Sequence, residues 1–230
     1  MHRSLFALVL AMALGTAAAA PPDALELARL ASTTTVGDVV FIRVPSPLFR
    51  RIAEATGSWT NHVGIVVDVR DGEPIVAESR VPFSSETTLA RFVARSERGR
   101  VAVLRLDRAL DADEMRRLQA SARAREGVLY DTGFDLHSRR QFCSRFVREV
   151  MLEATGVALG DVETFATLLA RSPDADLVFW RRWYFGHVPW ARETVTPGSV
   201  LSSAHLRTVF DGSVASPPRR PRLQANTSDT

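Results

Sequence analysis

Short β-branched and aromatic runs, broken by Gly and Pro, occupy residues 39 to 106, with helical spacing between and after them. Gly37-Asp38 introduces Val39, Val40, Phe41, Ile42, Arg43 and Val44, and Pro45 and Pro47 close the run, which predicts a strand over 39–44. Leu48, Ile52 and Ala55 follow at helical spacing, with Gly57 placed to stop a helix. Residues 62–69 and 74–79 read as two strands joined by Asp71-Gly72, a strong hairpin signal. A helix is expected over 88–95 and a fourth strand over 101–106. A solvent-facing helix is expected over 111–125, acidic at its start and arginine-rich later, in keeping with the helix dipole.

The loop 127–140 leads into a helix over 142–154. There Phe142, Phe146, Val147, Val150, Met151 and Ala154 make an apolar face and Gly156 marks the end. Further helices are expected over 23–30 and 161–171. Residues 177–188 are aromatic-rich without a readable period, and aromatics at that density usually build core. No internal repeat and no second domain is evident.

The first 20 residues change the picture. Arg3, the apolar run 5–14 and the small residues 17–20 before Pro21-Pro22 have the layout of a cleaved secretory signal. The expected organisation is a signal at 1–20, one domain at 21–212 and a disordered tail at 213–230, rich in Ser, Pro, Arg and Thr. The mature protein would be periplasmic or secreted. All 29 basic residues are Arg, spread among 26 acidic ones, so nucleic acid is not an expected partner.

One cysteine, Cys143, stands in the chain, which excludes an internal disulfide. A lone Cys is commonly a small buried hydrophobe. This one opens a helix, where the dipole favours the thiolate and the free N–H groups of Cys143 and Ser144 can face an oxyanion. Its base would be a histidine, with His62, His137, His187 and His205 as candidates. His62, at a strand start in N-H-V-G-I-V, is modestly favoured. Glu78 is the candidate to orient it, because the hairpin returns that strand end towards His62. No Cys/His cluster has metal-ligand spacing, and no cofactor is implied.

The ordered pieces G-D-V-V-F from 37, S-W-T-N-H-V-G-I-V from 58, I-V-A-E-S from 75, G-V-L-Y-D from 127, Q-F-C-S-R-F-V from 141 and R-E-T-V-T-P-G-S-V from 192 span about 37–205. In this order they resemble the YiiX/YaeF-type permuted papain-fold amidases, relatives of NlpC-type cell-wall cysteine peptidases and of lecithin retinol acyltransferase. The resemblance implies an α+β fold, with a small, mostly antiparallel sheet packed on the helix that bears Cys143. It selects His62 among the histidines, places Glu78 as its partner, and brings Tyr130 and Asp131 to the cleft. Arg145 departs from the acidic residue often found there in relatives, which would alter the charge of the cleft. The implied activity is amide hydrolysis of a peptide, cell-wall or lipid-derived substrate, in solution or at an envelope or membrane surface. Lipid ester or thioester hydrolysis, acyl transfer, and a catalytically silent binding module are the alternatives.

Overall fold

The structure, a computed structural model, describes residues 22–214; the expected signal at 1–20 and residues 215–230 lie outside them. Helix α1 (Pro22–Thr33) precedes β1 (Val39–Ile42), whose four residues are all buried. Helix α2 (Pro47–Thr56) starts on a proline, whose missing N–H costs nothing there, and ends at Gly57 in the left-handed region, φ 58°. Strands β2 (His62–Arg70) and β3 (Glu73–Glu78) form the expected hairpin. Asp71 and Gly72 both take positive φ, as a type I′ turn requires.

Then come β4 (Ser85–Thr88), α3 (Leu89–Val93), β5 (Arg100–Leu106), α4 (Ala112–Arg123) and α5 (Cys143–Thr155). The C-terminal third carries β6 (Glu163–Thr164), α6 (Phe165–Ala170), α7 (Leu177–Trp183), β7 (Glu193–Thr194), α8 (Pro197–Leu201) and β8 (Leu206–Ser213).

Six strands form one antiparallel sheet in the order β4-β3-β2-β1-β5-β8, and β6 pairs with β7 apart from it. Alternate side chains divide between two cores, as the two-residue strand period dictates. Val39, Phe41, Val63, Ile65, Val67 and Ala77 join Phe146, Val147, Val150 and Met151 of α5 on one face. Val40, Ile42, Val66 and Val76 meet Leu30, Leu89, Phe92 and Val93 on the other. Each fully buried Val, Leu, Ile, Phe or Met contributes roughly 1.5–3 kcal/mol. The α5 stripe therefore fixes the Cys143-bearing helix firmly against the sheet.

Four expectations change. Residues 85–88 are strand, and the helix begins only at Leu89, because the Thr88 hydroxyl accepts from the Arg91 amide and caps it. Likewise Thr164 caps α6 and delays the helix expected from 161. Helix α4 is also less solvent-facing than its charges suggest, since Leu118 and Ala122 are buried on its inner side. At the far end, β8 runs through Ser213 and Val214 is buried, so the sheet continues just past the expected boundary at 212.

Candidate active site

His62 is the first residue of β2 and Glu78 the last of β3. Continuing the Ile65–Ala77 pairing by one residue sets Glu78 level with Gly64 and diagonally across from His62, on the same face. His62 Nε2 and Glu78 Oε2 lie 2.5 Å apart, and both side chains are fully buried. Gly64 makes this possible. A Cβ there would stand 2.6 Å from Val76 Cγ1 and 2.9 Å from Phe92 Cε2. Phe92 in turn stacks on the imidazole at 5.6 Å, and Phe49 meets it edge-on at 5.7 Å.

A carboxylate without solvent needs counter-charge. Arg95 supplies it: its Nη2 donates to both Glu78 oxygens, at 2.7 and 2.8 Å, while the guanidinium lies over the Phe92 ring at 4.9 Å. Arg80 stands further off, 3.9 Å from Oε1. Burial alone would raise the Glu78 pKa, but His62 and Arg95 together hold it below its ordinary value. Arg95 carries no recognisable motif, and only the knowledge that Glu78 is buried would have called for a cation there.

Cys143 is the first residue of α5 and is buried beside the imidazole. Phe142, the residue before it, offers no capping side chain, so the first-turn N–H groups are free of one. Burial disfavours the thiolate. The His62 side chain, the Val63 amide and the Tyr130 hydroxyl outweigh it and lower the thiol's pKa. For His62 the same contest runs the other way. Desolvation lowers its pKa, but Cys143 and Glu78 overcome that and push it up to about 9. Nδ1, the ring nitrogen not held by Glu78, is buried and is taken up by no well-aligned hydrogen bond. Between the thiol's lowered value and about 9, thiolate and imidazolium coexist.

The remaining sequence candidates separate. Tyr130 is buried, its hydroxyl has no well-aligned partner, and burial followed by the nearby Cys143 sulfur raises its pKa well above normal. Ser144 donates from Oγ to the Val195 carbonyl at 2.7 Å, which leaves its backbone amide as the group of interest. Asp131 is spent on its own loop, accepting from the Gly133 and Asp135 amides at 2.8 and 3.1 Å. Arg145 does not charge the cleft as expected: it pairs with Glu149 at 2.7 Å and donates to the Ser138 and Arg140 carbonyls. His137 is exposed and sits 2.8 Å from Glu193.

Beside Cys143 opens an apolar pocket of about 40 Å³, walled by Ile52 and Ala55 of α2, Leu168 and Leu169 of α6, Phe134 and Trp180.

A helix-borne cysteine packed on an antiparallel sheet, with its histidine and carboxylate earlier in the chain, defines a papain-like fold in permuted order. The chain belongs to the permuted papain-like amidase enzymes of the YaeF/YiiX, C92 family, which match residues 33–210. It is 28% identical over 173 residues to the uncharacterized protein YiiX of Escherichia coli K12, covering 75% of this chain and 84% of that protein. The crystal structure of YiiX from Escherichia coli O157:H7 superposes with a TM-score of 0.73 at 26% identity, over 79% of this chain and 99% of that one. That structure is described as one of a metalloprotein. Among the described residues of the present chain, no group of three or more His, Cys, Asp or Glu is arranged to hold a metal ion.

Proposed function

We propose that this protein is a cysteine hydrolase that cleaves an amide bond through an acyl-enzyme. The carrying observation is the sequence of contacts Arg95–Glu78–His62–Cys143, buried from Glu78 onward, in which thiol and imidazole shift each other towards the ion pair. Cys143 Sγ attacks the carbonyl carbon, the C–S bond forms, and the carbonyl π electrons move to oxygen. The Cys143 and Ser144 amides and the Tyr130 hydroxyl are the donors available to that oxyanion. Collapse breaks the C–N bond as His62 gives its proton to the leaving amine. Water then attacks the thioester, His62 takes its proton, and the thiolate leaves with the acid released. Glu78 holds the ring through Nε2, so Nδ1 faces the chemistry, and it stabilises the imidazolium.

The apolar pocket favours a second reading within the same chemistry, hydrolysis or transfer of a lipid acyl ester or thioester. Activity-based labelling of the folded protein with amide, ester and lipid-tailed electrophiles tests both readings. Stoichiometric modification of Cys143 is expected, and the best electrophile names the acyl group. Modification only after denaturation would leave a binding module. We also place the mature protein outside the cytoplasm, on the signal-like residues 1–20. Mass spectrometry of envelope material should find an N-terminus near Pro21, and intact Met1 in cytosol would refute export.

A further inference from the structure

Helix α7 and the turn after it, residues 177–190, present a surface that stability alone does not account for. On the inward side Trp180 is buried against Phe134, the Trp183 indole donates to the Thr132 carbonyl at 2.9 Å, and the Tyr184 hydroxyl donates to the Gly133 carbonyl at 3.1 Å. These contacts fix which side points out. Val178, Arg181 and Arg182 lie at helical spacing on the exposed side of α7, and Phe185 is exposed in the turn that follows it. Val178 is 60% and Phe185 94% exposed, with Leu177 and Trp190 also exposed alongside.

Phe185 also takes φ 51°, the left-handed region that Gly or Asn enters far more readily than an aromatic residue. The chain thus bears backbone strain to hold out an aromatic ring that contacts almost nothing. Positions 177–192 contain three arginines and no acid. Arg192 faces Asp135 at 3.6 Å, while Arg181 and Arg182 have no ion-pair partner among the described residues.

Aromatic and aliphatic tips flanked by unpaired arginines match the boundary of an anionic lipid layer, with rings among the acyl carbons and guanidinium groups at the phosphates. We propose that this face docks the protein on an anionic membrane surface. Its charge selects that occupant over a neutral bilayer or an apolar protein groove. Trp180, on the inward side of the same helix, lines the pocket beside Cys143, so the docking face and the pocket share one element. The surface stands whether or not the hydrolase reading does.

The purified full-length chain is sedimented with vesicles of phosphatidylcholine alone or with 30% phosphatidylglycerol, all variants sharing one N-terminus. Binding to the anionic vesicles that weakens with salt is expected. Arg181→Glu/Arg182→Glu should lower it by ~10-fold or more, and Phe185→Asn by about 5-fold while relieving strain, so its thermal midpoint should not fall. Iodoacetamide modification of Cys143 is measured in parallel and should be unchanged in both variants. A wild-type chain that binds vesicles but resists alkylation would sink the hydrolase and leave the docking face. Absence of binding, binding indifferent to these variants, or a concentration-dependent dimer abolished by Phe185→Asn without vesicle binding would each overturn the proposal.

Discussion

The wall of the cleft made by β2, β3 and the turn after α3 places a guanidinium, a carboxylate and an imidazole in direct succession, whereas the wall made by α2, α6 and α7 presents almost only hydrocarbon. The first wall is specified to a fraction of an ångström, because a buried charge is costly unless its partner is in place. The second wall is specified by shape alone, where swaps between apolar residues of similar volume usually cost less than about 1.5 kcal/mol. On the proposed function, reaction type would be set by the charged wall and choice of substrate by the apolar one. The charged wall should be intolerant of change, and the apolar wall adjustable.

The largest effect should come where the walls meet. Cys143→Ala should reduce turnover to background while shifting the thermal midpoint little, since one small buried group replaces another. Removing the thiol also removes one of the two influences raising the His62 pKa, so an NMR titration should place it below about 9. The sign for stability follows. A raised folded value means the protonated ring stabilises the fold fully below about 6.5, and the contribution is lost as pH rises through about 9. In Cys143→Ala that loss should occur at lower pH.

Glu78→Gln keeps the volume but strips the imidazolium of its counter-charge, and turnover should fall by about 10²-fold or more. Cys143 alkylation at neutral pH should slow alongside it. A Gln variant with wild-type rates would reduce Glu78 to a structural residue and break the contrast between the walls.

Arg95→Met tests whether the guanidinium acts through Glu78. With that cation gone, the Glu78 pKa should rise, moving the acid limb of the rate profile to higher pH and lowering turnover by about 10-fold. A purely structural Arg95 would lower the thermal midpoint and leave the limb where it was.

The smallest effect belongs to the apolar wall. Leu169→Phe should narrow the pocket and weaken cleavage of long acyl substrates by roughly 10-fold, the lower end of what a single methylene is worth in an apolar site. Alkylation of Cys143 by iodoacetamide should be unaffected. Equal loss with short and long acyl groups would mean the pocket holds no acyl chain.

Legibility in the sequence follows the same division. The central strands announce themselves as continuous β-branched runs, and the hairpin by Asp71-Gly72, because burial on two faces leaves little freedom of composition. The edge strands do not. In Ser85–Thr88 and Leu206–Ser213 the pairing is supplied by β3 and β5, so exposed polar residues serve and no period survives. The positions of Cys143, His62 and Glu78 were readable from local context together with motif order. Arg95 was not, since its value depends on a burial that only the folded sheet creates. The aromatic segment misled in part. Trp180 is core as its composition suggests, but Phe185 and Val178 are not, and polarity along seven helical residues is too short a record to separate the two sides.

His62 and Glu78 stand 16 residues apart on one hairpin, a unit that closes on its own within about 1–10 μs in typical cases. Cys143 arrives from much later in the chain and must wait for α5 to find the sheet, an event dominated by loop-closure entropy. Until then its sulfur is an ordinary thiol with a pKa of about 8.5, largely protonated and slow to react. A nascent chain would therefore carry this thiol in a chemically quiet form until α5 docks on the sheet. Thiolate formation, followed by absorbance near 240 nm during refolding, would serve as a clock for that docking.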